Sequence, residues 1–323
     1  MRLTCVLLMS LLILTGRVRA QNTPPDSTAP QSAFRAGVDV VALNVVVTDG
    51  QQQLIRGLEA GDFAVFEDGV RQDLSFFAAA SIPLDLAILL DTSASMTDKI
   101  GTVKQAAIGF ATTLRQDDRV IVVDIKDGAK IVAPLAGDVA AARQAILSTS
   151  AKGGTALYNG LYLTIKEMIR HRRSNDEVRR QAIVVLSDGE DTSSLMSFDD
   201  VMLLAKESGI AIYTIQLKSK HPTPAAIASR QKYFSQSEYA MKAFAQETGA
   251  RAFFPAGIDE LAGVYSVIAD ELASQYSLGY TSKNPKRDGA YRRVVVRVGD
   301  PPGARTRTRS GYFAARSAAA VGY

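Results

Sequence analysis

Two kinds of hydrophobic period divide the chain. Val38–Thr48 and Phe63–Val70 are short, β-branched and aromatic runs, with Asp49-Gly50 as a turn signal between them, and they read as strands. This β-rich region closes near Ile82-Pro83. From Leu84 the pattern changes to apolar runs alternating with segments of helical period. Leu86–Leu90, Arg119–Ile125, Gln181–Leu186, Ile210–Leu217 and the short Arg251–Phe254 read as strands. In Thr97–Leu114, Ile100, Val103, Ala107, Phe110 and Leu114 recur at helical spacing. Further helices are expected over Asp138–Leu147, Leu157–Arg172, Ser237–Thr248 and Ile258–Ser274, and another from the Ser197 N-cap to Ser208, where Gly209 stops it. Asp127-Gly128 should turn the chain into Lys130–Leu135 as an antiparallel edge hairpin.

This alternation predicts an α/β fold over 84–275: a Rossmann-like, doubly wound, mainly parallel sheet with helices on both faces. After Gln275 the β pattern returns in Tyr276–Tyr280, Arg292–Val298 and Arg307–Phe313. The β-rich ends, 36–83 and 276–316, either complete one discontinuous sandwich-like domain or form two separate hairpins packed on the α/β domain.

Arg2, an apolar run from Leu3 to Leu14 and the sequence Val18-Arg19-Ala20 read as a secretory signal peptide over 1–20, followed by a flexible lead-in over 21–35. Residues 317–323 read as a tail. Cleavage after Ala20 removes Cys5, the one cysteine of the 323 residues, so neither disulfides nor thiol chemistry are expected of the mature chain. It also removes Arg2, Arg17 and Arg19, which takes the formal net charge from +4 to +1. The expected location is the periplasm or the cell exterior, with no transmembrane helix after cleavage. Thr281–Arg316 holds ten Lys or Arg residues against Asp288 and Asp300, but in Tyr291–Val298 they partly alternate with apolar residues, as on a solvated strand face. No nucleic-acid partner is expected.

The candidate chemistry lies at strand ends. Leu86–Leu90 runs into Asp91-Thr92-Ser93-Ala94-Ser95, Lys152-Gly153-Gly154-Thr155 precedes a helix, and Ile183–Leu186 runs into Ser187-Asp188-Gly189-Glu190-Asp191. Carboxylates and hydroxyls are hard donors suited to Mg²⁺, Mn²⁺ or Ca²⁺. Taken singly, each residue is as readily an ordinary cap or turn residue.

Together the three segments resemble the metal-ion-dependent adhesion site of the von Willebrand factor type A domain, D-x-S-x-S followed by Thr and then Asp. The resemblance implies that Asp91, Ser93, Ser95, Thr155 and Asp188 hold the cation, Mg²⁺ first with Mn²⁺ or Ca²⁺ as alternatives, and that an Asp or Glu of a partner protein completes its coordination. Asp98, Glu190 and Asp191 match no ligand position and read as rim charges or as residues that support the ligands from behind. Gly57–Gly69, Tyr276–Tyr280 and Arg309-Ser310-Gly311-Tyr312 further resemble secreted bacterial type A-related proteins known mostly from acidobacteria.

A noncatalytic, adhesion-type binding module outside the cytosol is therefore expected. The rivals are a metal-dependent phosphoester hydrolase and an envelope component with a purely structural metal. Against the hydrolase, His171 and His221 are the only histidines, and neither a G-x-S-x-G nor a phosphate-binding glycine loop occurs. The long connection Lys218–Gln236 should project from the metal-bearing edge and is a candidate for partner selectivity.

Overall fold

The computed structural model describes residues 40–79, 82–173, 177–188, 190–217 and 236–316. The expected signal peptide, lead-in and tail, and residues 218–235 of the expected long connection, lie outside the described residues.

Four strands come first: β1 (Val40–Thr48), β2 (Phe63–Glu67), β3 (Val70–Gln72) and β4 (Leu74–Ala79). Asp68-Gly69, both at positive φ, turn β2 into β3. The α/β layers follow as β5 (Leu84–Asp91), α1 (Ile100–Ala111), β6 (Arg119–Ile125), β7 (Ala129–Ala136), α2 (Val139–Ser148), α3 (Leu157–Arg173), β8 (Arg180–Ser187), α4 (Phe198–Ser208), β9 (Ala211–Gln216), α5 (Gln236–Glu247), β10 (Ala252–Phe253) and α6 (Leu261–Ala273). The chain ends in β11 (Tyr276–Thr281), β12 (Tyr291–Val298), β13 (Arg305–Arg307) and β14 (Gly311–Phe313).

The central sheet has the order β10-β9-β8-β5-β6-β7 and is parallel except for the edge strand β7, which runs antiparallel to β6. Every residue of β5 and β8 is buried, as expected of strands covered on both faces. Alternate side chains of β5 serve two cores. Leu84, Leu86, Ile88 and Leu90 pack with α1, α2 and α6, whereas Ala87 and Leu89 pack with α3, α4 and α5. Each leucine or isoleucine among them removed from water contributes about 1.5–3 kcal/mol. The direction in which strands are added reverses at β5, so the crevice at the carboxyl ends of β5 and β8 is the switch point where open α/β sheets bind ligands.

The β-rich ends interleave. One antiparallel sheet has the order β13-β1-β11-β4 and the other β14-β12-β2-β3, so each draws strands from both ends of the chain. Their facing sides share one core, including Val41, Leu43, Phe63, Val65, Tyr276, Leu278, Val294 and Val296. The Phe63 and Tyr276 rings lie 5.1 Å apart across it. The arrangement is thus a sandwich built from both termini and not two separate hairpins.

Three expectations need correction. The helix expected over Thr97–Leu114 begins at Ile100, because Ala94–Met96 first forms a 3-10 turn. The strand expected over Phe63–Val70 ends at Glu67, because the Asp68-Gly69 turn puts Val70 into β3, and β4 follows where no strand was expected. The run Arg307–Phe313 is two short strands in different sheets. Between them the chain crosses Gly249, whose φ is +79° and whose missing Cβ makes room for the Thr308 and Arg309 backbone.

Candidate metal centre

Strand β5 ends in two buried carboxylates of opposite fortune. Asp85, 1% exposed at the amino end, accepts from Arg119 Nε at 2.8 Å, Arg119 Nη2 at 2.7 Å and Arg179 Nε at 2.7 Å. Asp91, fully buried at the carboxyl end, accepts among the described residues from neutral groups only. The Ser93 amide donates to Oδ1 at 2.9 Å, an Asx turn that folds the loop back over the strand end. Ser187 Oγ, at the end of β8, donates to Oδ2 at 2.6 Å.

Burial pushes the Asp91 carboxyl above its ordinary range, and the charge of Asp188 adds to the rise against the hydrogen bonds from Ser187 and Ser93. Asp188 follows β8, which pairs in parallel with β5, so the two aspartates leave adjacent strands at the same edge. Ser93 and Ser95 come together with their Oγ atoms 2.9 Å apart, Ser93 buried and Ser95 exposed.

Thr155, 3% exposed, is tied to both neighbouring loops. On one side the Lys152 amide donates to Thr92 O at 2.8 Å and the Ala94 amide to Gly153 O at 2.9 Å. On the other, the Thr155 amide donates to Thr192 Oγ1 at 2.9 Å, while the Thr192 and Ser193 amides donate to Thr155 O at 2.8 and 3.0 Å. The three loops that carry the five expected residues are therefore one hydrogen-bonded unit.

Several residues that build this unit escaped sequence reading. Asp127 was read only as part of a hairpin turn, yet its carboxylate accepts from the Gly154 amide at 2.6 Å. Gly153 adopts φ +74° beside it, where a side chain would be both strained and blocked. Thr92 hydrogen-bonds through its hydroxyl to Asp124, which pairs with Lys126 at 2.9 Å. Of the two readings of Asp191, its contacts fit the supporting one: it accepts from Ser194 Oγ at 2.7 Å and, weakly, from the Tyr158 amide at 3.4 Å in the first turn of α3. α3 starts at Leu157, so its positive dipole end lies just after Thr155, whereas the 3-10 turn Ala94–Met96 delays α1 to Ile100.

The donor set is two carboxylates and three hydroxyls, all hard oxygens. Among the described residues no three His, Cys, Asp or Glu side chains gather into a metal-binding group, so hydroxyls have to supply the remaining ligands. The set fits a divalent cation: among the described residues the buried Asp91 carboxylate has no cationic partner, and the charge of Asp188 acts on it as a second negative charge.

A family model of the von Willebrand factor type A domain matches residues 85–251. The uncharacterized protein sll0103 of Synechocystis sp. is 39% identical over 112 residues, which cover 34% of this chain and 26% of that protein. This chain thus spans about a quarter of that relative's length. A von Willebrand factor type A protein from Catenulispora acidiphila superposes with a TM-score of 0.50 at 13% identity, over 88% of this chain and 76% of that one, a likeness of fold. Proximal thread matrix protein 1 of the mussel byssus, in a structure with a zinc-occupied adhesion motif, gives a TM-score of 0.49 at 16% identity over 64% of this chain and 50% of its own. Among the described residues no helix is long and apolar enough to cross a membrane.

Proposed function

The chain belongs to the von Willebrand factor type A domain family, and from that membership we propose that it is a noncatalytic, divalent-metal-dependent protein-binding module that works outside the cytosol. Asp91, Ser93, Ser95, Thr155 and Asp188 hold the cation, with Mg²⁺ as the expected metal and Mn²⁺ or Ca²⁺ as alternatives. When bound, the cation offers a coordination position to an Asp or Glu side chain of a partner protein.

The observation that carries this reading is the contrast along β5. Asp85 is neutralised by two arginines, whereas Asp91, equally buried, accepts among the described residues from the Ser93 amide and Ser187 Oγ, both neutral, and feels the negative charge of Asp188. A buried carboxylate without a counter-charge is costly, and a cation removes that cost. Asp91 and Asp188 supply charge, the hydroxyls of Ser93, Ser95 and Thr155 supply neutral oxygens, and the hydrogen bonds from Ser187 and the Ser93 amide fix the Asp91 carboxylate plane. Two carboxylates nearly balance a divalent ion, which leaves it attractive to one further anion. His171 lies on α3 against Glu167, at 3.1 Å.

Calorimetric titration of MgCl₂ into the wild type and into Asp91→Ala and Asp188→Ala tests the site. Binding by the wild type and its loss in both variants is expected; equal binding in all three, or none in the wild type, rules the site out. Turnover of a phosphoester substrate that Asp188→Ala abolishes would replace the binding module by a hydrolase.

A further inference from the structure

Leu195 is 94% exposed, the most exposed large apolar side chain among the described residues, yet its loop is tied down on both sides of it. The Leu195 and Met196 amides both donate to Asn159 Oδ1 at 3.1 Å. Ser194 Oγ accepts from the Asn159 amide at 3.0 Å and donates to Asp191 Oδ1 at 2.7 Å. One residue further on, Met196 turns back against the core between the sheet and α3, α4 and α5. Single exposed apolar residues are common on surfaces. A leucine held outward by bonds to its own amide and its neighbours' is different, because the backbone that would let it fold back onto the protein is fixed.

Its position links it to the candidate metal centre. The Thr192 and Ser193 amides of the same loop grip Thr155 O, and Asn159, which grips Leu195, lies four residues beyond Thr155 in the first turn of α3. Ser193, whose amide reaches Thr155 O, lies two residues before Leu195, a span of at most about 7 Å. An extended peptide covers that distance in about two to three residues.

We propose that Leu195 is the apolar anchor of the partner-binding face, and that the partner presents an Asp or Glu within about two to three residues of a large apolar side chain. The inference rests on the carboxylate-binding reading above. The acidic residue occupies the cation site while the apolar one packs on Leu195, so both are desolvated in one contact, as at the centre of protein–protein interfaces. Leu195 then contributes selectivity among acidic partners, which the cation alone does not provide.

The test is selection of a phage-displayed library of cyclic peptides on the full chain in Mg²⁺, with elution by chelator. Expected peptides pair Asp or Glu with a nearby Leu, Ile, Met, Phe or Trp. Leu195→Ser should weaken them about tenfold, or 1.4 kcal/mol, while Mg²⁺ affinity and melting temperature stay unchanged. Chelator-eluted acidic peptides without an apolar partner, bound equally by Leu195→Ser, would overturn the Leu195 inference and leave the carboxylate site standing. A Leu195→Ser protein that melts several degrees lower would also overturn it, by showing that Leu195 packs within its own chain. Failure to recover any chelator-sensitive peptide would remove the carboxylate reading and the anchor with it.

Discussion

Ser187 Oγ donates to Asp91 Oδ2 at 2.6 Å, joining the last residue of β8 to the last residue of β5 where the sheet changes its direction of growth. Both side chains are fully buried. Because the two strands pair in parallel, with Leu90 opposite Leu186, each presents its terminal polar residue at the same edge and on the same face. With the Ser93 amide on Oδ1, the hydroxyl leaves the Asp91 carboxylate one orientation.

Ser187→Ala should therefore weaken Mg²⁺ binding about ten- to hundredfold, the usual loss when a group that orients a ligand is removed. Calorimetric titration of the folded variant measures it. An affinity within twofold of wild type would mean that the Ser93 amide alone sets the carboxylate plane.

The raised pKa of Asp91 makes a signed prediction for stability. A carboxyl whose folded value exceeds its unfolded one contributes stability below the unfolded value, and that contribution is lost as pH rises through the folded value. In chelator at pH 7, Asp91→Asn, which keeps the shape and removes the charge, should melt above wild type. The gap should close as pH is lowered through the raised Asp91 range. With free Mg²⁺ at a hundredfold excess over Kd, wild type should gain about 2.7 kcal/mol, or roughly 5–10 °C, and overtake the variant, which gains nothing. Differential scanning calorimetry across pH, with chelator and with Mg²⁺, reads both halves.

The α/β layers were legible because their signals are local. Ser197 accepts from the Asp200 amide at 3.2 Å and Gly209 ends α4 at φ +67°, as the cap and stop residues indicated. The ends of β5 and β8, which carry Asp91 and Asp188, followed from unbroken apolar runs. The interleaving of the terminal strands was harder to read, since Val41 pairs with Tyr280 across more than two hundred residues and no local pattern encodes that register. The split of Arg307–Phe313 was hidden for a similar reason: it depends on the crossing at Gly249 in another part of the chain. Asp127 was misread because its turn role is real, and its bond to the Gly154 amide spans 27 residues. Leu195 carried no sequence signal, for an outward leucine and a core leucine look alike until the Asn159 contacts are known.

Gly154 should tolerate no side chain without a cost to the site. A Cβ there would collide with Ser193 Oγ and stand 2.9 Å from Thr192 Oγ1, the atom that accepts from the Thr155 amide. Gly154→Ala should displace Thr155 and weaken Mg²⁺ binding about tenfold, while the melting temperature falls by only a few degrees because neither core is touched. Unchanged affinity would show that Thr155 is held by the Thr92–Lys152 side of the unit alone.

The sandwich has its own pH dependence, separable from that of the metal site. Glu67, 2% exposed between the sheets, accepts from Tyr280 Oη and Tyr312 Oη at 2.9 Å each and from Ser282 Oγ at 2.5 Å, with Arg292 Nη1 at 3.2 Å. Burial alone would raise its pKa, but these hydrogen bonds and the Arg292 charge outweigh it and hold the carboxyl below its ordinary value of 4.5. A depressed pKa contributes stability above the unfolded value, which is lost as pH falls through the folded one. Glu67→Gln removes the charge opposite the buried Arg292 and should destabilise the protein by about 3 kcal/mol at pH 7. That difference should persist down to the unfolded value of 4.5 and shrink below it, as wild type takes up the proton that makes it resemble the variant. Denaturant melts of both proteins from pH 7 to pH 3 measure it, and a difference that did not change with pH would mean that the network stabilises by shape and not by charge.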